Sequence, residues 1–216
     1  MELIVSPTLK ELGVTLSYHL VSFKNQDHQE KLWQELLNPL FQQLETGGVG
    51  QIKEDPQIIA TKKVYRALGK DPARFRPSSD SLWRRVAQQK GLYQINDLVD
   101  LNNFFSLKYR IPFGSYDVTK IQSPITLTVG EAGETYPGIG KASVNIENLM
   151  VLTDESGPFG SPTADSTRGM IGEDTSEAIV IGYHFLADDF ATIQKEIKEV
   201  LEAYLTEGHV IEQGIV

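Results

Sequence analysis

The spacing of hydrophobic residues changes character near residue 123. Alternating apolar and polar positions at the start of the chain predict two strands, Glu2–Val5 and Val14–Phe23, around a polar turn. From Asp27 the apolar positions recur at helical spacing, so we expect a helix that Asp27 caps and Gly47-Gly48 stops. The same spacing predicts three more helices. The first covers about 56–68, the second begins at a capping residue within 78–80 and ends at residue 89, and the third covers 97–109.

After Ser123 the pattern indicates sheet and turns. Short apolar runs (ITLTV, SVNIE, LMVLT, AIVIGYHF) alternate with Gly, Pro, Asp and Ser, and the run GEAGETYPGIG is typical of a hairpin or loop. Residues 188–205 carry one apolar stripe at helical spacing, and residues 209–216 suit an edge strand. We therefore expect a mixed α/β (α+β) fold, with residues 1–216 forming a single domain that has a mixed sheet and flanking helices.

Composition and charge exclude several classes of site. The chain has no cysteine, which excludes a disulfide scaffold and a cysteine nucleophile. Its four histidines are scattered without metal-ligand spacing, so we expect neither a metal nor another cofactor. A net charge of −9 argues against binding DNA or long RNA through bulk charge. Local exceptions are Arg74, Arg76, Arg84, Arg85 and Lys90, which form either a basic patch or a solvated helix face.

The sequence also bears on where the protein works. The first residues lack the basic and apolar regions of a signal peptide, and no window reaches the roughly 20 apolar residues that span a bilayer. We therefore expect a cytoplasmic protein without a membrane partner. The oligomeric state is left open.

Two polar clusters are the candidates for chemistry. In the first, from Asp100 to Asp117, Asn102 and Asn103 are adjacent, and neighbouring helix residues point about 100° apart, so one can cap while the other faces a pocket. The second, DESGPFGSPTADSTRGM, concentrates hydroxyl, carboxylate and guanidinium groups near tight turns. Helix caps and a surface turn rich in Asp and Ser are the structural alternatives.

These clusters carry a family resemblance. The stretch RPSSDSLWRRVAQQKGLYQINDLVDLNNFFSLKYRIPFGSYD, followed by LMVLTDESGPFG, resembles the editing domain of the bacterial phenylalanyl-tRNA synthetase beta subunit. The resemblance covers about residues 64–186. The segments Arg-Phe-Arg-Pro-Ser and Pro-Thr-Ala-Asp-Ser are more similar still to free-standing proteins of this domain type.

The resemblance implies a pocket for the aminoacylated 3′ end of tRNA, in which a wrongly attached amino acid is hydrolysed. Asn103 matches an asparagine that lines the family pocket, and Asn102 replaces a threonine. The family's histidine and glutamate fall at Gly114 and Gly182, so two groups that position the amino acid are missing. No ATP-binding motif is visible, and a complete synthetase activity is not expected.

We predict residue roles on this basis. The predicted catalytic residues are Asp165, Ser166 and Arg168; the predicted substrate-binding residues are Asn102, Asn103, Gly114 and Ser115; the predicted tRNA-binding residues are Arg76, Arg84 and Arg85. The leading hypothesis is a hydrolase that removes a mischarged amino acid from tRNA in trans. The alternatives are a non-catalytic module that binds tRNA or an amino acid, and a small-molecule enzyme on the same scaffold.

Overall fold

The computed structural model describes residues 1–216 and has a mixed α+β fold, as expected. The strands are β1 (Leu3–Val5), β2 (Thr15–Lys24), β3 (Phe113–Asp117), β4 (Ile125–Val129), β5 (Thr135–Gly138), β6 (Lys141–Asn145), β7 (Met150–Asp154), β8 (Gly157–Gly160), β9 (Glu177–His184) and β10 (Thr206–Ile215). The helices are α1 (Pro7–Glu11), α2 (Glu30–Leu32), α3 (Asn38–Glu54), α4 (Pro56–Ala67), α5 (Ser78–Ala87), α6 (Asp97–Tyr109) and α7 (Phe190–Tyr204). None of these helices combines the length and apolar character that crossing a bilayer requires.

The strands form two four-stranded sheets and a separate hairpin. The first sheet has the order β1-β4-β7-β8 and is mixed, because β1 pairs with β4 in parallel and the other pairs are antiparallel. The second sheet, β10-β2-β9-β3, is entirely antiparallel. Strand β10 lies at its edge, which confirms the edge strand predicted for the chain's tail. The glycine-rich run 130–140 enters the β5–β6 hairpin.

Strand β9 separates two hydrophobic cores. Ala178 and Val180 face a core built with the helices, whereas Ile179, Ile181 and Tyr183 face a core shared with the first sheet. Side chains alternate between the two faces of a strand, so a strand covered on both faces is apolar throughout. This explains the continuous apolar run AIVIGYHF. Because both sheets pack against the second of these cores, β3 of one sheet lies close to β8 of the other, and Gly160 of β8 lies against Tyr116 of β3.

Several predicted element boundaries are wrong, each for a local reason. The polar turn between β1 and β2 contains helix α1, which has Pro7 in its first turn, where a missing N–H costs nothing. Gln29 rather than Asp27 precedes α2, and a π-helical turn, Trp33–Leu37, joins α2 to α3. Gly48 takes φ +62° and ψ −177°, which interrupts α3 where the stop was expected, but a further helical segment follows this kink and ends at residue 54.

A buried ion pair connects α4 to α5. The carboxylate of Asp80 has 0% exposure, and it contacts Lys62 Nζ at 2.5 Å and Arg84 Nε at 2.5 Å. Lys62 belongs to α4, whereas Arg84 lies one turn after Asp80 on α5 itself, so the Lys62 contact is the one that fixes the start of α5 against α4. That start also forms one wall of a surface cleft.

Candidate functional site

A cleft of about 330 Å³ lies where the start of α5, the middle of α6, strand β3 and the loop after β8 meet. Its lining residues are Ser78, Ser81, Leu82, Val99, Asn102, Asn103, Phe113, Ser115, Ile139, Lys141, Thr163, Asp165, Met170 and Ile171. Ligand pockets in proteins begin at about this size and combine apolar walls with a few polar groups. The structure thus brings together four residues predicted from sequence: Asn102, Asn103, Ser115 and Asp165.

The two adjacent asparagines have different environments. Asn102 donates from Nδ2 to the carbonyl of Phe113 at 3.1 Å, which fastens α6 to β3. Asn103 lines the cleft, and its side-chain amide has no hydrogen-bond partner in the protein. Asn103 therefore offers both an N–H donor and an oxygen acceptor to a ligand.

The carboxylate of Asp165 is the one acidic group that lines the cleft. Its Oδ1 accepts hydrogen bonds from the Tyr116 hydroxyl at 2.8 Å and from the backbone N–H of Ser161 at 3.0 Å. Its Oδ2 has no partner in the protein. Burial raises the pKa of Asp165 to about 6, although the hydrogen bonds from Ser161 and Tyr116 act in the opposite direction. A carboxylate with a pKa close to neutral is well suited to accept a proton.

Several side-chain hydrogen bonds hold the loop that carries Asp165 in place. Ser161 Oγ donates to the Ala164 carbonyl at 2.8 Å and accepts from the Ala164 N–H at 3.1 Å. The hydroxyl of Tyr65 lies 2.9 Å from Thr163 Oγ1, and the hydroxyl of Tyr136 donates to the Ala164 carbonyl. The position of Asp165 is therefore set by side chains from α4 and β5 as well as by its own loop.

Three other predicted site residues lie outside the cleft lining. Ser166 is buried, and its Oγ accepts from the N–H of Arg168 at the start of a 3-10 turn. Arg168 donates to both carboxylate oxygens of Asp154 at 2.9 Å and to the Gly157 carbonyl at 2.6 Å. Gly114 lies under the ring of Tyr116 in β3. Ser166 and Arg168 therefore make structural contacts within the protein, and the sequence pattern alone does not reveal these contacts.

We expect Arg168→Lys to lower the free energy of unfolding by about 1–3 kcal/mol, because a single ammonium nitrogen lacks the planar fork with which Arg168 bonds the two oxygens of Asp154 through separate nitrogens. Urea unfolding measures this change. The control is Arg66→Lys, since Arg66 is exposed and forms no ion pair. Equal, small changes in both variants would contradict this structural role.

The predicted tRNA-binding arginines also differ in their environments. Arg84 is held by Asp80, and the guanidinium of Arg85 lies 4.5 Å from the ring centroid of Tyr93. Arg76 is exposed, beside Phe75, whose carbonyl accepts from Thr163 Oγ1 at the cleft wall at 3.4 Å. Of the three arginines, Arg76 alone is exposed near the cleft without an ion pair.

Sequence reasoning missed several lining residues. Lys141 begins β6 on the far side of the hairpin, and Ser81 and Leu82 belong to the first turns of α5. The Ser78–Ser81 spacing of three residues, which puts both hydroxyls on one helix face, is a signal that was available. No local signal points to Lys141, because only the hairpin brings it to the cleft.

No three His, Asp or Glu side chains lie close enough together to hold a metal ion.

A second arrangement has the geometry of a catalytic triad but is buried. His184 Nε2 lies 2.8 Å from Ser17 Oγ, and His184 Nδ1 lies 2.8 Å from Asp188 Oδ2. Ser17 is 1% exposed and His184 is 0% exposed, and burial lowers the pKa of His184. A nucleophile must be accessible to its substrate. These side chains instead connect β2, β9 and the segment that leads into α7.

Comparisons with known proteins agree with this fold. Over 130 residues, the chain is 22% identical to the uncharacterized protein YhzB of Bacillus subtilis, covering 56% of each protein. It is 29% identical over 128 residues to the phenylalanine–tRNA ligase beta subunit of Streptomyces avermitilis, covering 54% of this chain and 14% of the subunit. The corresponding subunit of Gluconobacter oxydans is 34% identical over 102 residues, covering 46% of this chain and 11% of the subunit. The chain thus matches only part of the length of these curated relatives.

A solved structure and a family model complete the comparison. An N-terminal fragment of the phenylalanyl-tRNA synthetase beta subunit from Pyrococcus horikoshii superposes with a TM-score of 0.54 at 13% identity, covering 97% of this chain and 50% of that fragment. At this identity the match shows a shared fold. The model of the B3/4 domain matches residues 60–203, which is most of the chain and includes every residue of the cleft. The chain therefore belongs to the B3/4 domain family.

Proposed function

We propose that this protein binds the aminoacylated 3′ end of a tRNA and hydrolyses the ester of a wrongly attached amino acid. The observation that carries the proposal is that two polar side chains of the cleft keep hydrogen-bonding capacity for a ligand. Asp165 accepts hydrogen bonds through Oδ1, which leaves Oδ2 without a protein partner, and the side-chain amide of Asn103 has no protein partner either. The named relatives that are phenylalanine–tRNA ligase beta subunits support an aminoacyl ester as the substrate class.

The proposed reaction needs a base and a group that stabilises negative charge. Asp165 accepts a proton from a water molecule as the water oxygen bonds to the ester carbonyl carbon. The Asn103 amide donates a hydrogen bond to the resulting oxyanion. When the intermediate collapses, the bond to the ribose oxygen breaks, and protonated Asp165 returns the proton to that oxygen. The products are a free amino acid and an intact tRNA end, and no covalent enzyme intermediate forms.

Charge distribution supports tRNA as the partner. Between residues 62 and 90 the chain has nine Lys and Arg residues but only two Asp, although the whole protein carries −9. Arg74 and Arg76 are exposed on either side of Phe75, whose carbonyl accepts from Thr163 of the cleft lining, and Lys141 lines the cleft itself. A substrate that presents only its terminal nucleotides requires few phosphate contacts. These three cations suit such a limited contact, and KM should rise as salt is increased.

The experiment is release of amino acid from a panel of mischarged tRNAs. We expect the wild-type protein to act on one or a few members, and Asn103→Ala to reduce kcat by about 10²–10³ because an oxyanion donor is lost. The matched control is Gln213→Ala, which removes an exposed amide on β10. Equal rates for wild type and Asn103→Ala would remove Asn103 from the mechanism.

A second function is favoured by one observation: the cleft contains one carboxylate, Asp165, and one ammonium group, Lys141. Opposite charges in one cleft complement the ammonium and carboxylate of a free amino acid. Calorimetric titration with free amino acids tests this. Binding that Asn103→Ala weakens, together with no release from any tRNA, would replace the hydrolase proposal by an amino-acid-binding function.

A further inference from the structure

Three glycines make room for one buried tyrosine beneath the cleft. Tyr116 has 0% exposure, and a Cβ added at Gly114 or Gly160 would lie 2.2 Å or 2.5 Å from its hydroxyl oxygen. A Cβ at Gly169 would lie 3.3 Å from the same ring. The first two distances are too short for any carbon atom. The small residues in β3 and β8 therefore allow this ring to lie between the two sheets.

The hydroxyl that reaches through this space bonds to Asp165. Tyr116 donates to Asp165 Oδ1 at 2.8 Å, and its oxygen lies 3.1 Å from the hydroxyl of Tyr183. A phenol has one proton, so when Tyr116 donates it to the carboxylate, Tyr183 must donate to Tyr116. The result is a directed chain of hydrogen bonds from Tyr183 through Tyr116 to Asp165.

We propose that Tyr116 is the positioning residue for Asp165, holding Oδ1 so that Oδ2 is presented to the cleft. The effect of Tyr116 on catalysis rests on the proposed function, whereas its effect on the position and pKa of Asp165 does not. The titratable groups around Asp165 are Tyr116 and Tyr183 from the second sheet, Tyr136 from the hairpin, and Lys141 at the cleft. Of these titratable groups only Tyr116 donates a hydrogen bond to the carboxylate, beside the backbone N–H of Ser161, and that bond favours the ionised form of Asp165.

The test is Tyr116→Phe, which keeps the ring and removes the hydroxyl. Titration of the Asp165 carboxyl carbon by NMR, with labelled aspartate, should show its pKa rising by about one unit or more, since a hydrogen bond to the charged form is lost. In the hydrolysis assay we expect kcat to fall about tenfold with KM little changed, and the acid limb of the pH profile to move upward.

The matched control is Tyr136→Phe. It removes a buried hydroxyl that contacts the loop carrying Asp165, but that hydroxyl donates to the Ala164 carbonyl and not to the carboxylate. We expect the pKa of Asp165 to change by a few tenths of a unit at most in this variant. An unchanged pKa in Tyr116→Phe, or an equal shift in both variants, overturns the positioning role. Because the titration requires no activity, its result stands even if the wild-type protein hydrolyses no tRNA.

Discussion

Asp165→Asn is expected to reduce the rate of ester hydrolysis by about 10²–10⁴ while leaving the protein folded. Asparagine has nearly the same size as aspartate, and its Oδ1 can still accept from the Tyr116 hydroxyl and the Ser161 N–H. An amide cannot take up a proton at neutral pH, so the attacking water loses its base. The rate of the wild-type protein should rise with pH through about 6, where the Asp165 carboxyl ionises.

The same variant has a predictable effect on stability. The folded pKa of Asp165 is raised from 3.8 to about 6, so protonation stabilises the folded state. This stabilisation is fully present below the unfolded pKa and is lost as the pH rises through about 6. At pH 7.5 we therefore expect Asp165→Asn to unfold in urea at the same or a higher concentration than wild type, with this advantage shrinking at pH 4.5.

The control for both measurements is Asp174→Asn, which removes an exposed carboxylate of the same charge. It should leave the rate and its pH dependence unchanged. Wild-type activity in Asp165→Asn, within threefold or so of the parent protein, would exclude Asp165 as the base. Loss of both activity and stability at neutral pH would show instead that the residue is structural.

Asp80→Ala is expected to lower the free energy of unfolding by about 3–5 kcal/mol. Asp80 is fully buried, and its two partners, Lys62 and Arg84, have side chains that are 17% and 21% exposed. Removing the carboxylate leaves two largely buried cations facing each other without compensation. Because the pair fixes the start of α5, the variant should also weaken ligand binding in the cleft.

Urea unfolding at neutral pH measures this loss. The control is Glu199→Ala, which breaks a surface pair whose atoms are 3.9 Å apart and whose side chains, Lys195 and Glu199, are 76% and 64% exposed. Exposed pairs contribute about 0.5 kcal/mol or less. A loss below about 1 kcal/mol for Asp80→Ala would mean that water reaches the two cations after the carboxylate is removed.

The sequence predicted the elements whose signals are local. Helix α7 follows the apolar stripe that residues 188–205 display, and α6 begins after Asn96, whose side-chain oxygen accepts a hydrogen bond from the N–H of Val99. Strand β9, Glu177–His184, coincides to within one residue at each end with the apolar run AIVIGYHF. The helix is interrupted at Gly48 as predicted, but the helical segment that follows up to residue 54 was missed, because a glycine can end a helix or only kink it.

The candidate site was predictable in part. Asn103 and Asp165 lie in polar clusters that the sequence displays, and both line the cleft. Arg168 also lies in a polar cluster, but its guanidinium is bound by Asp154. The local sequence does not show whether an arginine binds a ligand or pairs with a carboxylate of the same protein. Lys141 reaches the cleft only through the hairpin, so its place depends on contacts distant in sequence.

The space around Tyr116 has a consequence for how this sequence can change. A side chain at position 114 or 160 and the ring of Tyr116 require the same volume, so they exclude each other. Substitutions at these positions are therefore epistatic. An ancestor with a larger residue at position 114 acquires this buried tyrosine only after that residue has become glycine, and the reverse path must first remove the tyrosine. The order of mutations between this chain and its relatives is thus constrained by geometry.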